Sequence, residues 1–228
     1  MCTSVYTYSM SKIVLCLIFI IIPLLLLVKF SRINKGIGIS FLTGMLVFFL
    51  SQVCLRLPLF SFLNTKLSFS MFIVENPVLY GLLLAFSAGV FEESGRWIGF
   101  LALRKRHTNI QDAFFFGLGH GIMEVIIVVL LPVFVQGIEE SVLVWVIVER
   151  FVAIAFHVAQ SIFIWNGVTK QKAYILLFAI VLHGVFNMVA IFPLSLIWVE
   201  FILILEVVVY WSILYRTILV KNIRRVKK

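Results

Sequence analysis

The chain has 228 residues, 63% of them hydrophobic and 13% charged, with a formal net charge of +9 at pH 7. Soluble domains average about 45–50% apolar and about 25% charged residues, and a chain of this length has no interior that could hide such an excess. Lipid must therefore solvate most of these side chains, which excludes a soluble domain.

A bilayer-spanning helix needs roughly 20 apolar residues. Seven runs meet that requirement, at about 13–29, 37–59, 78–103, 111–134, 141–165, 173–192 and 194–216. They predict an all-α membrane protein of about seven transmembrane helices, a single polytopic domain over 1–228 with the lipid bilayer as its first partner. The first run resembles a signal peptide in its apolar stretch, but its positive charges follow it, so a retained helix is expected. The second carries one ionisable residue, Arg56, towards its end; both are expected to be accessory elements.

The third span holds Phe91-Glu-Glu-Ser-Gly-Arg96, and the fourth Gly117-Leu-Gly-His-Gly-Ile-Met-Glu124. The fifth holds Glu149, Arg150 and His157, and the sixth His183-Gly-Val-Phe-Asn187. The seventh carries Glu200, near its outer end, and Glu206. Phe192-Pro193 separates the last two runs, since one helix through both would be far longer than a bilayer is thick.

Basic residues follow the first, third, fifth and seventh runs: Lys29, Arg32 and Lys35; Arg104, Lys105 and Arg106; Lys170 and Lys172; and Arg216 through Lys228. This alternation is the positive-inside pattern, which expects the N-terminus outside, the C-terminus in the cytoplasm and a multi-pass protein of the cell membrane. The positive charge is thus an orientation signal, and nucleic acid is not an expected partner. Cys2, Cys16 and Cys54 show no pair spacing that would suggest a disulfide framework or a cysteine zinc site.

Ionisable groups inside a membrane are costly, at least about 2.5–3.5 kcal/mol each at the bilayer centre, and by default mark function. Here they recur on four consecutive spans. Counted from the cytoplasmic ends, Glu92, Glu93, His120, His157 and His183 all lie about ten residues in, or ~15 Å at a rise of about 1.5 Å per residue. Helical phase agrees: His120 and Glu124 are i,i+4 neighbours, as are His183 and Asn187, and Glu149, Ala153, His157 and Gln160 share a face. Arg96 is within reach of both glutamates and is expected to neutralise one of them. Glu149 with Arg150 is read as either a structural pair or part of the site. Two adjacent glutamates in low dielectric cannot both stay ionised cheaply, and one left without a counter-charge suits proton abstraction from water.

Together these motifs resemble the YhfC-type intramembrane proteases, which are related to the CAAX-protease and bacteriocin-processing superfamily and to the PrsW proteases. The resemblance rests on Glu92-Glu93-Ser-Gly-Arg96, Phe116-Gly-Leu-Gly-His120 and His183-Gly-Val-Phe-Asn187, with the Gly-His-Gly-x-x-Glu and Glu-Arg-x(6)-His segments closest to the YhfC branch. It covers about 78–192, expected to be a catalytic core of four helices, the third to sixth spans. It implies hydrolysis of a peptide bond in a membrane-associated peptide or protein, with Glu92 or Glu93 and His120 activating water and His183 and Asn187 stabilising the oxyanion. Two residues separate the glutamates from Arg96 where the CAAX-type motif has three; that turns Arg96 by about 100° and leaves both glutamates as candidates for the base. Arg96, Glu124, Glu149, Arg150 and His157 are expected to support the site, His157 as a second-layer or lining group.

A metal-free glutamic mechanism with no cofactor is the expectation. The alternative is a zinc enzyme using His120, Glu124, His157 and His183, which lacks a His-Glu-x-x-His motif. A proton-coupled transporter would need alternating access, and inverted repeats, its usual mark, are not evident. A non-catalytic scaffold would be expected to have lost a core residue, and all matching positions are present.

Overall fold

The computed structural model of the protein describes residues 10–104 and 108–219. Cys2, Lys105, Arg106 and the basic residues from Lys221 onward, used above for the cysteine and charge readings, lie outside the described residues.

Among the described residues, seven helices are long and apolar enough to cross a membrane: α1 (Met10–Ser31), α2 (Gly36–Asn64), α4 (Pro77–Leu103), α5 (Ile110–Gln136), α6 (Glu140–Thr169), α7 (Tyr174–Ile191) and α8 (Leu196–Ile218). No strand occurs among the described residues. This is the all-α architecture expected, because a chain in lipid must satisfy its backbone hydrogen bonds within each segment. A further helix, α3 (Leu67–Glu75), lies between the second and third predicted spans. Its ring Phe69 sits between Phe60, with centroids 6.3 Å apart, and Tyr80, at 6.0 Å.

The breaks between spans have local causes. Pro77 occupies the first turn of α4, where its missing N–H costs nothing. At the start of α5, Asn109 Oδ1 accepts from the Gln111 and Asp112 amides, and Asp112 returns a bond to the Asn109 amide, a reciprocal capping box. The other Asp112 oxygen accepts from Ser40 at 2.9 Å, tying α5 to α2. Gly137 ends α5 at φ 86°, a conformation that favours glycine. Phe192 is extended (φ −81°, ψ 144°), as a residue before proline prefers; α7 and α8 are therefore separate helices.

The main apolar core runs through α2, α4, α5, α6, α7 and α8, with Phe100 stacked on Phe116 and Phe156 on Phe186. A second cluster joins Leu15 and Phe19 of α1 to Val125, Val129 and Leu130 of α5. The closest crossing is between α2 and α5. A Cβ on Gly44 would run into the Phe116 carbonyl, and one on Gly119 into the Phe41 carbonyl. Small residues at such crossings let two backbones touch. The crossing fixes the height of His120, the residue after Gly119.

Gly119→Ala is expected to destabilise the protein by about 1–3 kcal/mol through overpacking, read as a lower thermal unfolding temperature in detergent. Gly38→Ala, whose Cβ would meet nothing within 4 Å, should leave the unfolding temperature unchanged or raise it.

Candidate functional site

Glu92 and Glu93 are neighbours on α4 and therefore point about 100° apart. Glu93 is fully buried; it pairs with Arg96 one turn on and accepts from His183 Nδ1 at 2.6 Å. Glu92 lines a cavity of about 560 Å³. Its Oε1 accepts from Gln52 Nε2 at 2.5 Å, and its Oε2 lies 2.9 Å from His120 Nε2 and 4.0 Å from His157 Nδ1. His183 Nε2 approaches Oε1 to 3.8 Å.

The partners of His157 define its proton. Arg96 Nη2 lies 3.1 Å from Nδ1, and Nε2 lies 2.5 Å from Glu124 Oε2. A guanidinium can only donate and an ionised carboxylate can only accept. The neutral ring satisfying both carries its proton on Nε2 and turns its Nδ1 lone pair inward. Behind it, Arg150 Nη1 donates to Glu124 Oε1 at 2.9 Å, and the same guanidinium pairs with both oxygens of Glu149.

Nine of the ten residues selected from sequence thus form one network: Glu92, Glu93, Arg96, His120, Glu124, Glu149, Arg150, His157 and His183. The tenth, Asn187, lines the same cavity. Gln52 of α2 was missed, and Arg56, noted as the ionisable residue of that span, was given no part in the site. Arg56 donates to Gln52 Oε1 at 3.0 Å, to Ser87 Oγ at 3.1 Å and to the Leu84 carbonyl at 2.7 Å. The signal for both was present: polar residues i,i+4 within an apolar span. Helix α2 therefore contributes directly to the site beside α4–α7, where an accessory role had been expected. Helix α8 lines the cavity with Leu203, and its Tyr210 donates to Gln160 of α6 at 2.8 Å, outside the network. Glu206 has a buried carboxylate oxygen with no hydrogen-bond partner among the described residues.

Three buried side chains, Glu92, His120 and His157, each offer a donor atom such that all three lie within 4.8 Å of one another. Zinc bonds of about 2.0–2.1 Å in a tetrahedral shell imply donor spacings of about 3.3 Å, and the 2.9 Å and 4.0 Å separations from Glu92 Oε2 bracket that value. The donor set of two imidazoles and one carboxylate is one zinc enzymes use. His157 also has the support such a ligand needs, a carboxylate on the far ring nitrogen, and an ion on its Nδ1 would take over the lone pair that accepts from Arg96. The residues present fit a zinc-type ion.

The family model described as "YhfC intramembrane metalloprotease" matches residues 18–144 and 135–209. The chain belongs to this family. It is 26% identical over 205 residues to the "Uncharacterized membrane protein YhfC" of Bacillus subtilis (strain 168), a match covering 75% of this chain and 79% of that protein. No solved structure matches. YhfC membership supports an intramembrane protease and corrects the expectation of no cofactor. The family is one of metalloproteases, and the cluster of Glu92, His120 and His157 could hold the ion. The sequence reading missed this possibility because the three clustered donors come from three helices and leave no local His-Glu-x-x-His trace. Of the alternative ligand set, His120 and His157 belong to this cluster, with Glu92 beside them. Glu124 lies behind His157, and His183 is engaged with Glu93.

Removing one partner of a buried ion pair costs about 3–5 kcal/mol. Arg96→Met should therefore lower the unfolding temperature strongly, and the double variant Glu93→Gln/Arg96→Met should recover part of the loss in a thermodynamic cycle.

Proposed function

We propose that this protein is a zinc-dependent intramembrane endopeptidase, with Glu92, His120 and His157 as the metal ligands and α4–α7 together with α2 as the catalytic core. The observation that carries the reading is the pairing of three buried donors with Glu124 on the outer nitrogen of His157. Zinc held by these groups would supply Lewis acidity and make water nucleophilic at neutral pH.

The chain's own groups take the remaining roles. Glu92 lines the cavity while Glu93 is sealed behind it, so the two glutamates divide their tasks: Glu92 faces the reaction and Glu93 orients His183. With Nδ1–H committed to Glu93, His183 presents Nε2 towards Glu92. There it can take a proton from the attacking water and return it to the leaving amine. Asn187 lines the cavity one turn from His183, and its amide is the candidate donor to the developing oxyanion. Arg150 holds Glu124, and Glu124 holds His157.

The cavity lies on the side where α2, α5 and α7 end and α4, α6 and α8 begin, bounded by Arg56, Gly81, Val128, Glu149 and Ile191. In the orientation the basic loops imply, water and a membrane peptide reach the site from the outer half of the bilayer.

Purified protein should retain about one zinc ion per chain, and Glu92→Gln, His120→Ala or His157→Ala should each abolish it. Glu124→Gln should weaken zinc about 10–100-fold. In nanodiscs, cleavage of a transmembrane-peptide library should stop on exhaustive chelation and return with zinc. Full cleavage by metal-free protein would contradict the assignment.

A further inference from the structure

We infer that Gln52 is a positioning residue of the metal site, clamped by Arg56 so that it fixes which oxygen of Glu92 faces the histidines. The inference rests on the metal-site reading above. It concerns α2, a helix outside the motifs that suggested the chemistry.

The orientation of the Gln52 amide follows from its neighbours. Arg56 Nη1 lies 3.0 Å from one end of the amide, and a guanidinium has no acceptor, so that end is the carbonyl. The NH₂ end then points to Glu92 Oε1, 2.5 Å away. Arg56 cannot swing off without losing its bonds to Ser87 Oγ and the Leu84 carbonyl, both on α4. The chain of contacts starts at the α4 backbone, passes through α2 and returns to α4 two turns on, at Glu92.

This closed path has a chemical consequence. With Oε1 held by Gln52, Oε2 is the oxygen presented to His120 Nε2 and His157 Nδ1. A glutamate without that hold could rotate about its last torsion, which is broad and roughly two-fold, and would no longer be pre-set for the ion. The backbone is shaped for this task. Residues Phe49–Arg56 form a widened, π-type stretch of α2, and Gln52 lies within it. Such insertions in helices are frequent at functional sites. Gln52 is buried yet lines the cavity, so its contact with Glu92 is made at the edge of the reaction space.

The test uses full-length protein in detergent with cobalt(II) as the probe. Metal affinity is measured by competition with a chromophoric chelator, and ligand geometry by the visible absorption of the cobalt protein. Gln52→Leu removes the donor, and Gln52→Met removes it while keeping the side-chain length, should the leucine variant fold poorly. Each should weaken cobalt binding about 10–100-fold, the range for outer-shell partners, and change the cobalt spectrum. Arg56→Met should move both readouts in the same direction by a smaller factor. Thermal unfolding of the metal-free protein separates a general loss of packing from this effect, and it should move little in Gln52→Met. Affinities within about twofold of wild type with superimposable spectra would overturn the role of Gln52 and leave the metal site standing. Wild-type protein that takes up neither cobalt nor zinc would overturn both.

Discussion

The buried pair of Glu93 and Arg96 is the constraint on which the rest of the site is built. Neither side chain has any exposed surface, and in a low-dielectric interior a charge must be answered by charge and by hydrogen bonds on its remaining atoms. Arg96 answers Glu93 and then reaches across to His157 on α6; Glu93 also accepts from His183 on α7. One pair on α4 thereby sets the rotation of two other helices. The tautomer of His157 and the inward aim of its Nδ1 follow from where Arg96 and Glu124 stand.

Helix packing supplies the complementary constraint. At Gly117 a Cβ would stand 2.5 Å from Val158 Cα and 2.7 Å from the His157 carbonyl oxygen. Helix α5 therefore carries His120 and touches α6 at the level of His157, with no side chain between the backbones. Two rings borne by rigid, touching helices lie 4.9 Å apart, centroid to centroid. A site assembled this way is held by its scaffold, as a metal site must be to select its ion by geometry and ligand type.

The parts of this architecture that depend on local pattern could be read from sequence. Apolar run length gave the spans, and the rarity of charge in lipid singled out the residues that converge. Phe192-Pro193 marked a real break because proline restricts the residue before it. The parts that depend on tertiary contact were not legible. Helix α3 is held by the packing of Phe69 against rings from α2 and α4. Gln52 and Arg56 stand out in sequence as polar residues i,i+4 in an apolar span, but their partners on α4 appear only when the two helices pack. The division of labour between Glu92 and Glu93 depends on which of them meets a cavity. The candidate metal donors are spread over α4, α5 and α6, so no spacing along the chain records them. Glu206, with its unpartnered buried oxygen, is explained by neither reading.

X-ray absorption at the zinc edge of the purified protein tests the central claim most directly, because it reports the ligand atoms themselves. The account predicts a first shell of nitrogen and oxygen at about 2.0–2.1 Å, with outer-shell scattering from two imidazoles, and loss of one imidazole in His157→Ala. A shell containing sulfur at about 2.3 Å, or one unaltered by replacing His120, His157 and Glu92, would contradict it.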